Sequence, residues 1–321
     1  MQRLNALLTT LLLTAVSVCA GAAESYPVRP IRIVVPTGAG GITDLLARIV
    51  AQKLGDNLGQ QVLVDNRPGA SGIVGSDIVA KATPDGYTLL MVFPSHPVNL
   101  NLYSKLPYDT VKAFAPVTMV GQVVLVMLVN PSTPAHSARE LIDLTKARPG
   151  QINFGSVGKG SLGHLAAELL RSLSGANITH VAYKGVPQVM GALIAGEVSL
   201  FFDPPITAMP QVKAGRVRAL GVTTKRRLAV LPDIPAIAET VPGYEVIGWN
   251  GILAPAGTPV SLITRLNAEL VKVLRSPEIV EKLSQQGVDP VGNTPVEFAH
   301  TIRSDIDKWA KVIKDAGIRA E

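Results

Sequence analysis

The residues of this chain that could do chemistry are few, and their spacing rules out most of the reactions they could serve. The five histidines, His96, His136, His164, His180 and His300, never pair at the spacing of metal ligands. Neither Ser156 nor Ser161 has glycine two residues away on both sides, so neither sits in a nucleophile elbow. The stretch "GSVGKGS" carries Gly158-Lys159, but Gly160 follows where a phosphate loop needs Ser or Thr. Gly38-Ala39-Gly40-Gly41-Ile42-Thr43 lacks the third glycine of a dinucleotide fingerprint. No paired acids and no Ser/His/Asp set stand out. The expectation is a protein without metal, without cofactor and without catalysis.

Binding chemistry remains. Two glycine loops, Thr37-Gly38-Ala39-Gly40-Gly41 and Ser156-Val157-Gly158-Lys159-Gly160-Ser161, each precede a segment with apolar residues at helical spacing. A helix start leaves N–H groups unpaired and carries partial positive charge. Glycine lets a ligand approach the backbone closely. The natural guest is an anion.

The positioning elements follow from the pattern. Ile31 to Val35 is a β-branched run that reads as a buried parallel strand. After the first loop, Leu45, Leu46, Ile49, Val50 and Leu54 mark a helix, with Thr43 or Asp44 at its N-cap or first turn. A further strand, a "DNRPGASG" turn, a helix and the strand "TLLMV" complete the unit. Residues 152–202 repeat the order: strand, glycine-serine loop, helix, strand, turn, helix, strand. The chain is therefore expected to be an α/β protein of two similar lobes with parallel sheets, and a ligand beyond the carboxyl ends of the strands.

Other residues at such ends have two readings each. Asp44 could meet a ligand amine or answer the helix dipole. Ser95 and His96 follow "TLLMVF" and could line the site or belong to a turn around Pro94 and Pro97. His164 could donate to a carboxylate or bond its own loop. Asp203 ends "SLFFD" and could read a donor on the ligand or cap a turn. Lys184 could pair with a distal carboxylate or be solvated.

Bulk properties agree. Arg3, the apolar run Leu7 to Val18 and the small residues Ala20-Gly21-Ala22 read as a secretory signal peptide over residues 1–22, which points to the periplasm. Cys19 is the one cysteine, so thiol chemistry has no place in the processed chain. Lys plus Arg outnumber Asp plus Glu only by 30 to 24 and aromatics are 4%, so no nucleic-acid partner is expected. The apolar stretch 120–132 and the segment 244–259 are expected to cross between lobes. They divide the chain into 23–124 plus 248–321 and 125–247. Three closing helices, the last opened by a Thr294-Pro295-Val296-Glu297 capping box, are expected to pack back on the first lobe.

The stretches "IRIVVPTGAGGITDLLARIVAQKL", "VLVDNRPGASGIVGSDIVAKATPDGYTLLM", "FGSVGKGSLGHLAAELL" and "VPGYEVIGWNGILAPAGTP" closely resemble the Bug/TctC family, the extracytoplasmic receptors of tripartite tricarboxylate transporters. The resemblance covers essentially the whole processed chain. It implies a two-lobed periplasmic binding protein of the Venus-flytrap kind, hinged on two crossing strands. It also implies that one carboxylate is gripped by both glycine loops, partly through water. Ser95, His96, His164 and Asp203 would add to the lining. Thr37 departs from the aromatic common at that place. Membrane partners would be a large and a small permease subunit, and the receptor itself a monomer. Alternatives are a receptor feeding a membrane sensor, or an enzyme acting on small acids.

Overall fold

The computed structural model of the chain describes residues 26–318, so the signal-peptide segment lies outside the described residues. β1 (Ile31–Val35) is flanked on both sides by parallel neighbours, β2 (Val62–Asn66) and β3 (Thr88–Val92). That explains its unbroken apolar run. Helix α1 (Ile42–Leu58) connects β1 to β2, and α2 (Ile73–Ala80) leads to β3. α1 buries Leu46, Ala47, Val50, Ala51 and Leu54 at helical spacing.

A short helix, α3 (Ser95–Leu102), follows β3 where a turn around Pro94 and Pro97 was one of two readings. Pro97 is accommodated because it lies in the first turn, where its missing N–H has no intrahelical partner to lose.

β4 (Phe114–Val124) ends one residue before β5 (Val126–Val129), and the two belong to different sheets. Leu125 alone separates them, so the long apolar run is the end of one strand, a crossing residue and a second strand. The second sheet continues through α4 (Ala138–Ala147), β6 (Asn153–Ser156), α5 (Leu162–Ser174), β7 (Thr179–Ala182) and α6 (Val186–Ala195). It closes with β8 (Leu200–Asp203), α7 (Pro205–Lys213) and β9 (Arg218–Val222). The chain returns to the first sheet as β10 (Ile247–Pro255), then runs α8 (Val260–Leu274), α9 (Pro277–Gln285), β11 (Val288–Pro290) and α10 (Pro295–Ala316).

The sheets have orders β11-β4-β10-β3-β1-β2 and β7-β6-β8-β5-β9. Both are mixed, which corrects the expectation of parallel sheets. β10 is antiparallel to β3 and β4, and β5 is antiparallel to β8 and β9. A strand that arrives by crossing from the other sheet enters from the opposite end, so its direction is reversed.

The closing helices also differ from expectation. α8 and α9 pack on the first sheet through Leu266, Leu270 and Leu283. α10 begins there, with Phe298 and Ile302 against Leu253 and Trp249. Its far end instead buries Trp309, Val312 and Ile313 in one cluster with Leu165 and Leu169 of α5 and Leu102 of α3. Twenty-two residues span about 33 Å at 1.5 Å per residue, long enough to reach across both lobes.

Candidate functional site

The first glycine loop delivers α1. Its N-cap is Gly41, in extended backbone and without a side-chain cap, so neither Thr43 nor Asp44 caps the helix. Asp44 instead ties the loop together. Its carboxylate accepts the Gly40 N–H at 2.9 Å, Arg48 Nε at 3.1 Å and Asn66 Nδ2 at 2.9 Å. Burial alone would raise its pKa, but these donors and the Arg48 charge hold it below the ordinary value. The Gly40 N–H is thereby committed within its own loop. Gly40 has φ +86, a left-handed conformation that suits glycine. Thr43 Oγ1 accepts from Asn250 Nδ2 of β10 at 3.1 Å, which fixes the first turn of α1 to the neighbouring strand.

The second loop is built alike. Ser161 is the N-cap of α5 and its Oγ accepts the His164 N–H. The Gly158 N–H donates to Ser156 Oγ at 3.1 Å, and the Gly160 N–H to His164 Nδ1 at 3.1 Å. Ser161 N–H donates to the Gly158 carbonyl at 3.2 Å. Gly40, Gly158 and Gly160 therefore spend their amides on shaping the turns. First-turn amides of α1 and α5, which have no residue one turn earlier to bond, are donors that a ligand can take. Ser156 Oγ also lies 2.6 Å from His180 Nε2, and the His164 and His180 rings are 4.2 Å apart.

A cavity of about 380 Å³ lies between the two sheets. The helix starts reach it through Ile42 and Thr43 of α1 and through Ser161, Leu162 and Gly163 of α5. Among the sequence candidates, Ser95, Val157, Gly160, Ser161 and Asp203 line it. Thr37, Gly38, Ala39, Gly40, Gly41, Asp44, Ser156, Gly158, His96 and His164 do not. His96 faces the other side of α3, because successive helical residues point about 100° apart. Its Nε2 meets the Thr110 carbonyl at 3.1 Å and its ring packs edge-on against Phe114. His164 turns inward to Phe154 and His180, and Lys184 is exposed away from the wall. Thr37 Oγ1 is buried without a partner.

Pattern reading missed the rest of the wall. Phe93, Val123, Leu125, Trp249 and Asn250 come from the strands that end or cross at the cleft. Ser71 comes from a turn in which Ala70 and Ser71 both have positive φ. Its carbonyl accepts from Ser95 Oγ and Asn99 Nδ2, each at 3.0 Å. The "RPGASG" run was a signal for an unusual turn, though not for its place on the wall. Trp249 is anchored from behind, its indole N–H donating to Asp305 of α10 at 2.7 Å.

Electrostatically the wall carries Lys159 and, besides it, two marked features. One is the pair of helix N-termini. The other is Asp203, fully buried, whose carboxyl is pushed by burial up to about 7 despite a hydrogen bond from Thr207. Thr207 Oγ1 donates to Oδ2, while Oδ1 has no donor. Behind the second loop, His164 is lowered to about 3 by burial and by the charges of His180, Lys159 and Arg171. His180 is lowered by burial and Lys159. Both are neutral at pH 7, and a neutral Nδ1 is what accepts the Gly160 N–H. Among the described residues no cluster of metal-ligating side chains occurs, and no helix is long and apolar enough to cross a membrane.

Comparison with known proteins places these features in context. Residues 46–318 match the profile of the tripartite tricarboxylate transporter family receptor. The chain is 37% identical to Protein BugT of Bordetella pertussis over 322 residues, covering 99% of each. The structure resembles that of R. palustris Rpa4515 with adipate, with TM-score 0.81 and 37% identity over 92% of this chain and 99% of that one. It also resembles MatC of Rhodopseudomonas palustris with bound malate, with TM-score 0.77 and 30% identity over 90% of this chain and 100% of that one.

Proposed function

The chain belongs to the tripartite tricarboxylate transporter receptor family, and from that premise we propose that it is a periplasmic receptor that captures a small carboxylate and delivers it to a membrane permease of a large and a small subunit. It binds its ligand and does not transform it. The observation that carries this reading is the cavity between the sheets, flanked by the first turns of α1 and α5. An anion there meets two helix N-termini at once, one from each sheet, and first-turn amides supply the donors.

Ligand binding favours closure, since only with the lobes together do both helix ends reach one group. The crossings at Leu125 and before β10 act as the hinge. Charge-assisted hydrogen bonds contribute roughly 1.5–3 kcal/mol each. A handful of them, less the cost of association, reaches about −8 kcal/mol, a micromolar dissociation constant. Relatives solved with adipate and with malate support a carboxylate as the guest.

A thermal-shift screen of the processed protein against mono-, di- and tricarboxylates tests the reading. At least one carboxylate raises the unfolding midpoint, and Ser161→Ala weakens that response. A screen in which none of these acids raises the midpoint overturns it.

A further inference from the structure

Among the described residues, the charged side chains on the wall are Lys159 and Asp203. The charge of Lys159 falls on His164 and His180 behind the second loop, where it helps to keep both rings neutral. Asp203 is placed otherwise. It borders the cavity, yet its side chain is fully buried. Val126 stands opposite it on β5, Gly163 packs on the end of its strand, and Thr207 of α7 meets its carboxyl. The ionisable residues of α5 turn elsewhere, His164 to His180 and Glu168 to Arg171, and Lys213 closes α7 at its far end.

An ionised Asp203 in that setting has one hydroxyl, Thr207, on Oδ2, and no donor on Oδ1. A buried charge without a counter-ion is costly. The neutral acid fits the same atoms. Thr207 Oγ1 also lies 3.1 Å from the Pro204 carbonyl. A protonated Oδ2 can therefore donate to Thr207 Oγ1 while the Thr207 hydroxyl turns to Pro204. Hydrogens move and the wall does not. Burial pushes the carboxyl up to about 7, so both forms are populated near neutrality.

A bound anion decides between them. The start of α5 packs directly on the end of β8: a Cβ on Gly163 would stand 3.0 Å from the Phe202 carbonyl, one residue before Asp203. An anion held at that helix start has Asp203 as a near neighbour. Like charges in poorly polarisable surroundings repel, so the ionised form is disfavoured.

Resting on the receptor reading above, we propose that Asp203 is held as the neutral acid whenever an anion fills the cavity, so that above neutral pH the receptor takes up a proton from solvent together with its carboxylate. The proton bonds to Oδ2, donates to Thr207, and returns to solvent when the guest leaves. Below pH 7 the empty site is already neutral and capture draws no proton. Above pH 7 capture must draw one, and affinity falls as pH rises.

Titration calorimetry on the processed protein tests this with adipate, malate, benzoate and hexanoate, acids that are themselves fully ionised above pH 7. Pairs of buffers with different ionisation enthalpies count the protons. For an acid that binds, about 0.3 proton or more is taken up per molecule bound at pH 8, and the dissociation constant weakens about threefold or more from pH 6.5 to pH 8.5. Asp203→Asn carries a donor where the neutral acid does and cannot ionise. It binds the same acid at pH 6.5 within about threefold of the unaltered protein, and both the uptake and the pH dependence disappear. Infrared difference spectra of the unaltered protein give a second readout: adding the acid at pH 8 raises the band of a protonated carboxyl. Binding without proton uptake, or uptake that survives in Asp203→Asn, overturns the inference and leaves the receptor reading standing. If none of the acids binds at any pH, the receptor reading fails and the inference falls with it.

Discussion

Asp203 and the buried histidines oppose each other in their response to pH. The folded pKa of Asp203, about 7, lies above its ordinary 3.8, so its contribution to stability is present in acid and lost as pH rises through about 7. Asp203→Asn should therefore stabilise the ligand-free protein at pH 8, by about 2 kcal/mol in urea unfolding. The histidines run the other way. Burial lowers His96 to about 4 and His164 to about 3, and lowers His180 as well. Their neutral forms are favoured by folding, so stability is intact above the unfolded value of 6.5 and falls as pH drops toward 4. Three such groups outweigh the single Asp203 across that window. The urea midpoint should fall between pH 6.5 and 4.5, and His164→Gln should reduce the slope by up to about 1.4 kcal/mol per pH unit.

Two helix caps separate stability from binding. Ser161 caps α5 at the cavity, while Thr294 and Glu297 form a capping box that opens α10 on the first sheet. Ser161→Ala and Thr294→Ala should each cost about 1 kcal/mol in urea unfolding. Only Ser161→Ala should also weaken the ligand-induced thermal shift. The elements themselves were largely legible in the sequence. β1, α1, α5 and the Thr294 cap followed from β-branched runs, helical spacing and cap chemistry. Strand direction was not legible. Reversal of β5 and β10 depends on the chain crossing between sheets at Leu125, and no local pattern encodes which end a strand enters. α3 was hidden because Pro94 and Pro97 read as turn residues until Pro97 is placed in a first helical turn. At the site, spacing located the two helix starts but not the division of labour within them. The Gly40, Gly158 and Gly160 amides bond Asp44, Ser156 and His164, and such bonds depend on side-chain placement that spacing does not carry. The Phe93, Leu125 and Trp249 walls were invisible for the same reason: each is an ordinary apolar strand residue until the two sheets are brought together.

Across the whole molecule, α3 packs against the second glycine loop and α5, and Gly160 lies at that contact. A Cβ there would stand 2.7 Å from Leu102 Cδ1 of α3, whereas a Cβ on Gly158 meets nothing within 4 Å. Both glycines have positive φ, so Gly160→Ala and Gly158→Ala share a backbone cost of about 1 kcal/mol. Calorimetry should show the larger loss of affinity in Gly160→Ala, because Gly160 lines the cavity and its added methyl displaces the Leu102 side chain there, while Gly158 lies off the wall. Trp309 holds the far end of α10 in the cluster shared with α5, and Trp309→Ala should cost about 3–5 kcal/mol in urea unfolding. The central claim is that the starts of α1 and α5 jointly hold a carboxylate between the lobes. Its most direct test is a crystal structure with whichever acid gives the largest thermal shift. The account predicts the carboxylate within hydrogen-bond reach of first-turn amides from both helices, directly or through one water. A carboxylate bound elsewhere, or held by one helix alone, would contradict it.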